Sequence, residues 1–439
     1  MVIPRVVRLN IMKSKRMIHN RGLKSLSSIV AKFLFAIKRW GLPVAVFLLF
    51  VSRSNAVDQG VWTTTWACGV QLTEPHNLPP VVLDGCTLRQ FVYCTLGGPR
   101  LRVRISNEYG TGVVKIAKAH IALARNRGSA GDGEIDPATD VALKFNGSAS
   151  VSISAGEIAI SDPVDFQLPS LTNLAISIYF ENVPRGTITG HPGSRTTSFI
   201  QSGDVVSAPS MPQATRVTRW YFIAGVDVWS SNGAAVVTLG DSLTDGRGST
   251  TDGNDRWPDV LARRLATNPA TAHLAVVNMG IGGNAVLKGG LGPTAVSRFD
   301  RDVLGTCGVR WVIVFEGIND IGGAPDDKVM TVASNLVVAY TQFAQKAHQK
   351  NVRAFIGTLT PFGGHSYYTH ARETARQFVN AWIRTNSVYD GVIDFEAVVR
   401  DPTDPTRLLP QYDSGDHLHL SPAGYHAMAE TIDLQIFTR

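Results

Sequence analysis

Four short blocks of the sequence carry residues suited to acyl-transfer chemistry. The first is Gly240-Asp241-Ser242-Leu243. The second runs from Asn278 through the glycine cluster Gly280, Gly282 and Gly283. The third is Glu316-Gly317-Ile318-Asn319-Asp320, and the fourth is Asp413-Ser-Gly-Asp416-His417-Leu418-His419. A serine hydroxyl is a poor nucleophile until a neighbouring base takes its proton, and histidine is the side chain that does so near neutral pH. A carboxylate beside the histidine fixes its tautomer, while loop N–H groups and a carboxamide hold the oxyanion that forms on the attacked carbonyl. Nucleophile, oxyanion donors, base and orienter are all present. No Cys-x-x-Cys or Cys/His spacing suits a metal site, so neither a metal nor a cofactor is expected.

The first three blocks end segments that read as buried strands, and the fourth is the loop before the last expected helix. From Ala234 onward, apolar runs alternate with helical patterns. Strands are expected at Ala234–Leu239, Leu274–Asn278, Trp311–Phe315, Arg353–Gly357 and Val392–Phe395. Helices are expected at Trp257–Leu265, Thr294–Leu304, Asp327–Lys350, Ala371–Thr385 and Pro422–Ile432. This alternation predicts an α/β fold, a doubly wound parallel sheet of the flavodoxin-like kind, whose sites form beyond the carboxyl ends of the strands. The earlier half has a different period. Arg100–Ser106, Ser150–Ser154 and Leu174–Phe180 alternate polar and apolar residues between turn clusters, predicting an all-β sandwich or jelly roll. The expected organisation is a leader over residues 1–56, a β-sandwich domain over 57–230 and an α/β domain over 231–439.

The ordered blocks Gly-Asp-Ser-Leu, Gly, Gly-x-Asn-Asp and Asp-x-x-His resemble the SGNH (GDSL) hydrolase superfamily over roughly 234–439. The resemblance implies a serine esterase with Ser242 as nucleophile, His419 as general base and Asp416 as its partner. It implies an oxyanion hole from the Ser242 and Gly283 backbone N–H groups and the Asn319 side chain. Gly283 is chosen because it lies five residues after Asn278; Gly280 and Gly282 are the alternatives. Asp413 and His417 form a competing pair one turn away. Glu316 and Asp320 are expected to organise the asparagine loop. The first half resembles, by order alone, the accessory domain preceding the hydrolase domain in some secreted bacterial esterases. The substrate implied is a small-molecule or polysaccharide ester, with short acyl groups on carbohydrates or small alcohols favoured by the lack of a large apolar lid. A lipase or lysophospholipase activity is the alternative.

Charge and composition exclude other classes. The chain has 439 residues, 42 Lys+Arg and 35 Asp+Glu. Eleven of the basic residues fall within residues 1–56, which hold no Asp or Glu, leaving 31 basic against 35 acidic residues in the body. A mildly acidic body has no general attraction for a phosphate backbone, so no nucleic-acid partner is expected. The basic leader precedes an apolar run, Gly41–Val51, and a small-x-small site at Ser54-Asn-Ala56. This is the layout of a secretory signal peptide, and the run rises only about 16 Å as a helix, too short to span a bilayer. The mature chain is expected near Val57, secreted or periplasmic, with no stable membrane span after cleavage. Export permits disulfides; Cys68 is expected to bridge to Cys86 or Cys94, because the two ends of one extended strand lie about 26 Å apart, while Cys307 stays free. Two rival functions remain weaker. Gly280-x-Gly282-x-x-Ala285 mimics a dinucleotide fingerprint, but it follows the second strand and its helix is delayed. A glycan-binding module built on Trp62, Trp66, Trp220 and Trp229 leaves the serine, histidine, aspartate and asparagine set unexplained.

Overall fold

The computed structural model describes residues 60–125 and 131–438. The expected leader, residues 1–56, lies outside them. Among the described residues no helix is long and apolar enough to cross a membrane.

The second half is built on five parallel strands, β1 (Ala234–Gly240), β2 (Leu274–Gly280), β3 (Val309–Phe315), β4 (Arg353–Gly357) and β5 (Gly391–Ile393), in the order 2-1-3-4-5. This is the flavodoxin-like order, which reverses between β1 and β3 and opens a crevice at their carboxyl ends. All seven residues of β1 are buried, as expected of a central strand covered on both faces, which therefore reads as a continuous apolar run. The connecting helices are α1 (Ser242–Asp245), α2 (Trp257–Thr267), α3 (Ala295–Phe299), α4 (Ile318–Gly322), α5 (Val329–Gln349), α6 (His370–Thr385), α7 (Phe395–Val399) and α8 (Pro422–Glu430). The helix expected at 294–304 is α-helical only to Phe299 and continues as a π-helical turn over Asp300–Leu304.

The first half is antiparallel. Its main sheets have five and seven strands, and a small three-stranded sheet joins Gln71–Leu72, Thr189–His191 and Trp220–Tyr221. The strand Gly98–Ser106 shows the period clearly: Leu101, Val103 and Ile105 are buried, while Arg100, Arg102 and Arg104 are half-buried on the opposite face. Arg102 and Arg104 pair there with fully buried Asp227 of the neighbouring strand Ile223–Ser230, at 3.0 and 3.4 Å.

The disulfide expectation is corrected. Cys68, Cys86, Cys94 and Cys307 are all free thiols. Cys68 follows the strand Val61–Ala67 of the five-stranded sheet, and its sulfur donates to the Ile223 carbonyl at 3.5 Å. Cys86 and Cys94 open and close one strand of the seven-stranded sheet; the Cys86 sulfur donates to the Val82 carbonyl at 3.3 Å. Burial pushes the Cys68 and Cys94 thiols far above their ordinary range, making them inert core residues.

Residues Gly60–Arg439 form one compact unit, and the halves meet through paired polar groups. The outer edge of β2 would leave Val276 unpaired. Thr95 of the antiparallel half fills that place, its hydroxyl accepting from the Val276 N–H at 3.0 Å and donating to the Val276 carbonyl at 3.2 Å. Thr64 bonds the Cys307 backbone in both directions, at 3.0 and 3.1 Å. Trp66 and Trp220 are core residues packed edge to face at 4.9 Å, and Trp62 and Trp229 pack on one another at 5.3 Å.

Candidate active site

The chain leaves β1 at Gly240 and turns at once into α1. A side chain at 240 would meet the Thr244 hydroxyl and the Phe315 carbonyl at 2.1 and 2.6 Å, so only glycine lets β1, α1 and β3 approach this closely. Asp241 caps α1, its Oδ1 accepting from the Leu243 N–H at 2.9 Å, and Ser242 begins the helix. Burial pushes the Asp241 carboxyl up to about 7 against the lowering effect of its backbone donors.

Ser242 Oγ lies 2.8 Å from His419 Nε2, and His419 Nδ1 lies 2.7 Å from Asp416 Oδ2. Asp416 Oδ1 also accepts from the His419 and Leu418 backbone N–H groups at 2.8 and 3.1 Å. Burial opposes ionisation of Asp416, but these donors, the ring hydrogen bond and the histidine charge outweigh it and hold the carboxyl well below its usual range. An ionised carboxylate only accepts, so Nδ1 carries the ring proton and Nε2 presents its lone pair to the serine hydroxyl. Burial lowers the proton affinity of His419; Asp416 opposes this, and Arg247 and Arg195 add to it. The competing pair also exists, with His417 Nδ1 2.6 Å from Asp413 Oδ2. It is turned outward, His417 being about half exposed, and is not part of the cavity at Ser242.

Gly283 and Asn319 face the same cavity, as does Gly282 but not Gly280. Gly283 has φ +71°, a left-handed conformation that favours glycine. Asn319 Nδ2 donates to the Asn284 carbonyl at 2.8 Å, and its Oδ1 accepts from the Tyr367 hydroxyl at 3.1 Å. These two contacts fix which end of the amide points where. Asp320 binds the Val286 and Leu287 N–H groups at 2.8 and 3.0 Å, so it organises the loop after β2.

Arg298 was not singled out by sequence, yet it ties this rim together. It is fully buried and donates to Gly240 O at 2.9 Å, Met279 O at 2.5 Å and Asn284 Oδ1 at 3.0 Å, with Glu316 and Asp302 carboxylates at 3.3 and 3.1 Å. The carboxyl ends of β1, β2 and β3 thus share one cation. A lone arginine in a helical segment gives no local signal of this.

The antiparallel half also enters the site. The cavity at Ser242, about 320 Å³, is walled on one side by Gln71, Glu74, Asn77, Pro192, Gly193 and Arg195. Glu74 Oε1 and Oε2 accept from Gln71 and Asn77 side-chain amides at 2.8 and 3.0 Å. Buried His191 bonds Asp245, the last residue of α1, through Nε2 at 2.9 Å and the Gly69 carbonyl through Nδ1 at 2.9 Å. Both ring nitrogens are engaged, so the imidazole ties α1 to the antiparallel half.

Comparison with known proteins follows the same boundaries. The model of the GDSL-like lipase/acylhydrolase family matches residues 238–427. No curated protein matches the chain. Similar solved structures include an acetylxylan esterase from Geobacillus stearothermophilus, 20% identical, covering 46% of this chain and 92% of its own, with TM-score 0.35. A GDSL-like lipase from Bacteroides thetaiotaomicron VPI-5482 is 17% identical, covering 46% and 87%, with TM-score 0.32. An alpha/beta hydrolase enzyme from the metagenome of Lake Arreo, Spain, is 18% identical, covering 45% and 93%, with TM-score 0.35. Residues 238–427, somewhat less than half of the chain, are thus similar to the GDSL-like lipase/acylhydrolase family, and the chain is a carboxylic ester hydrolase.

Proposed function

We propose that the protein is an exported serine esterase that cleaves short acyl, above all acetyl, esters of carbohydrates or small alcohols through an acyl-enzyme. The observation that carries the mechanism is the continuous hydrogen-bonded chain from Ser242 Oγ through His419 to Asp416, at 2.8 and 2.7 Å. His419 Nε2 takes the hydroxyl proton as Oγ attacks the ester carbonyl, and Asp416 stabilises the imidazolium that forms. The Ser242 and Gly283 N–H groups and the Asn319 amide hold the oxyanion. His419 then protonates the departing alcohol, and water releases the acyl group by the same steps. The polar wall of Gln71, Glu74 and Asn77 supports an alcohol part rich in hydroxyl groups. The secretory pattern of residues 1–56 supports export.

One observation favours longer chains. A groove of about 1010 Å³, edged by Leu287, Val296, Val332 and Val338, shares Asn319 with the catalytic cavity. Rates on p-nitrophenyl esters from acetate to palmitate, followed by acetylated glycans, separate the readings. We expect a maximum at acetate to butyrate and release of acetate from glycans. A maximum at decanoate or longer contradicts the short-acyl reading.

A further inference from the structure

Two arginines in the catalytic cavity have donors to spare. Arg195 lies in the turn after the strand Thr189–His191 and holds a left-handed backbone, φ +51°, uncommon for a side chain of this size. Its carbonyl accepts from the Asp252 N–H at 2.9 Å, which pins the turn. Its side chain is about two-thirds buried at 31% exposure, and among the described residues its buried Nε has no hydrogen-bond partner. The nearest carboxylate oxygen, Asp245 Oδ2, is 4.0 Å from Nη2, beyond hydrogen-bond range, and Asp245 is already tied to His191. Arg247 is separated from α1 by Gly246 alone; its Nε stands 3.9 Å from Asp416 Oδ2, an oxygen engaged by the His419 ring.

Both arginines line the cavity of His419, and Arg247 stands on its histidine side, 3.9 Å from Asp416. That is also the side of the departing alcohol, because His419 must protonate it. Guanidinium donors without hydrogen-bond partners among the described residues, on a mostly buried Arg195 and a mostly exposed Arg247, suit planar recognition of an anion. Of the other acids of the cavity, Asp416 and Asp245 Oδ1 are bonded to histidines and Glu74 is capped by Gln71 and Asn77; Asp245 Oδ2 has no hydrogen-bond partner among the described residues and stands 4.0 Å from Arg195 without reaching it.

We propose that Arg195 and Arg247 bind a carboxylate on the alcohol part of the substrate, so that the preferred ester is an acylated acidic sugar rather than a neutral one. The proposal rests on the esterase reading above and adds the charge of the substrate.

The test compares kcat/KM for an acetylated methyl glucuronoside with that for the matching acetylated methyl glucoside, which differ only in the carboxylate. The expected preference for the acidic ester is about tenfold or more at low ionic strength, shrinking in 0.5 M salt as the exposed part of the site is screened. Arg195→Gln should collapse the ratio towards one, mainly through KM for the acidic ester. Arg195→Lys should restore part of it, because charge returns without the fork. Arg247→Gln should act in the same direction. A wild-type ratio within twofold of one overturns the proposal, as does an equal loss on both esters in Arg195→Gln, which would mark a purely structural role. Failure of the esterase reading looks different. The wild-type enzyme then leaves p-nitrophenyl acetate intact and Ser242 unlabelled by a fluorophosphonate, and the proposal falls with it.

Discussion

Among the described residues the Ser242 hydroxyl has one side-chain partner, His419 Nε2 at 2.8 Å, and the residue-scale predictions follow from that. Ser242→Ala and His419→Ala should each lower kcat by several orders of magnitude, roughly 10⁴–10⁶, and the double variant should be little worse, because the residues act as a unit. His417→Ala is the control: it should keep most activity, and loss of turnover there with survival of His419→Ala would make Asp413 and His417 the working pair. Asn319→Ala should lower kcat about 10²–10³-fold with little change in KM, since its donor acts on charge that develops during reaction. The pH profile has a defined sign. His419 must be neutral to act as base, and burial lowers its proton affinity. The rate kcat/KM should therefore rise with pH through an apparent pKa below the ordinary histidine value of about 6.5, and a midpoint above it would contradict this environment. At this scale the sequence was readable where chemistry is written locally. Asp416 and His419 are three residues apart and Ser242 sits in a four-residue block. Arg298, Tyr367, His191 and Arg195 were not readable, because each acts on groups that only folding brings near.

Strand and helix periods were legible because burial imposes them over whole elements. Arg353–Gly357 falls where its apolar run predicts, and α5 and α6 begin and end within about two residues of expectation. The elements missed were α1, α4 and α7, of four or five residues each, too short to show a period and fixed by caps such as Asp241 and Asp394. The disulfide expectation failed for a related reason: strand length forbade one pairing, but nothing local says which sheet a strand joins. Two predictions belong here. Removing Arg298 leaves buried Glu316 without its cation, while Asp302 keeps Arg301 at 2.6 Å, so Arg298→Met should cost about 3–5 kcal/mol in denaturant unfolding. Asp241 holds its proton more tightly in the folded state, near 7, than in the unfolded chain, near 3.9. The stability it contributes is complete below the unfolded value and is lost as pH rises towards 7. Asp241→Asn keeps the cap oxygen, so the fall in melting temperature between pH 5 and 7 should be shallower than in the parent. An unchanged slope would place the proton elsewhere.

For the whole molecule, the change of period after Asn232-Gly233 located the passage from antiparallel to parallel sheet, but gave no hint that the first half walls the catalytic cavity. That depends on Gln71, Glu74 and Arg195 meeting loops more than 40 residues away in the chain. Residues 231–439 alone would expose the β2 edge that Thr95 covers and leave Asp245 without His191. Such a fragment should be poorly soluble and inactive, as activity and a melting curve would reveal; full activity would make the first half dispensable. The most direct test of the central claim is peptide mapping by mass spectrometry after treating the enzyme with a fluorophosphonate until activity is lost. The account predicts one phosphonyl group per chain, on Ser242, with inactivation in step with labelling. Activity that survives complete labelling of Ser242, or inactivation with the group on another residue, would contradict it.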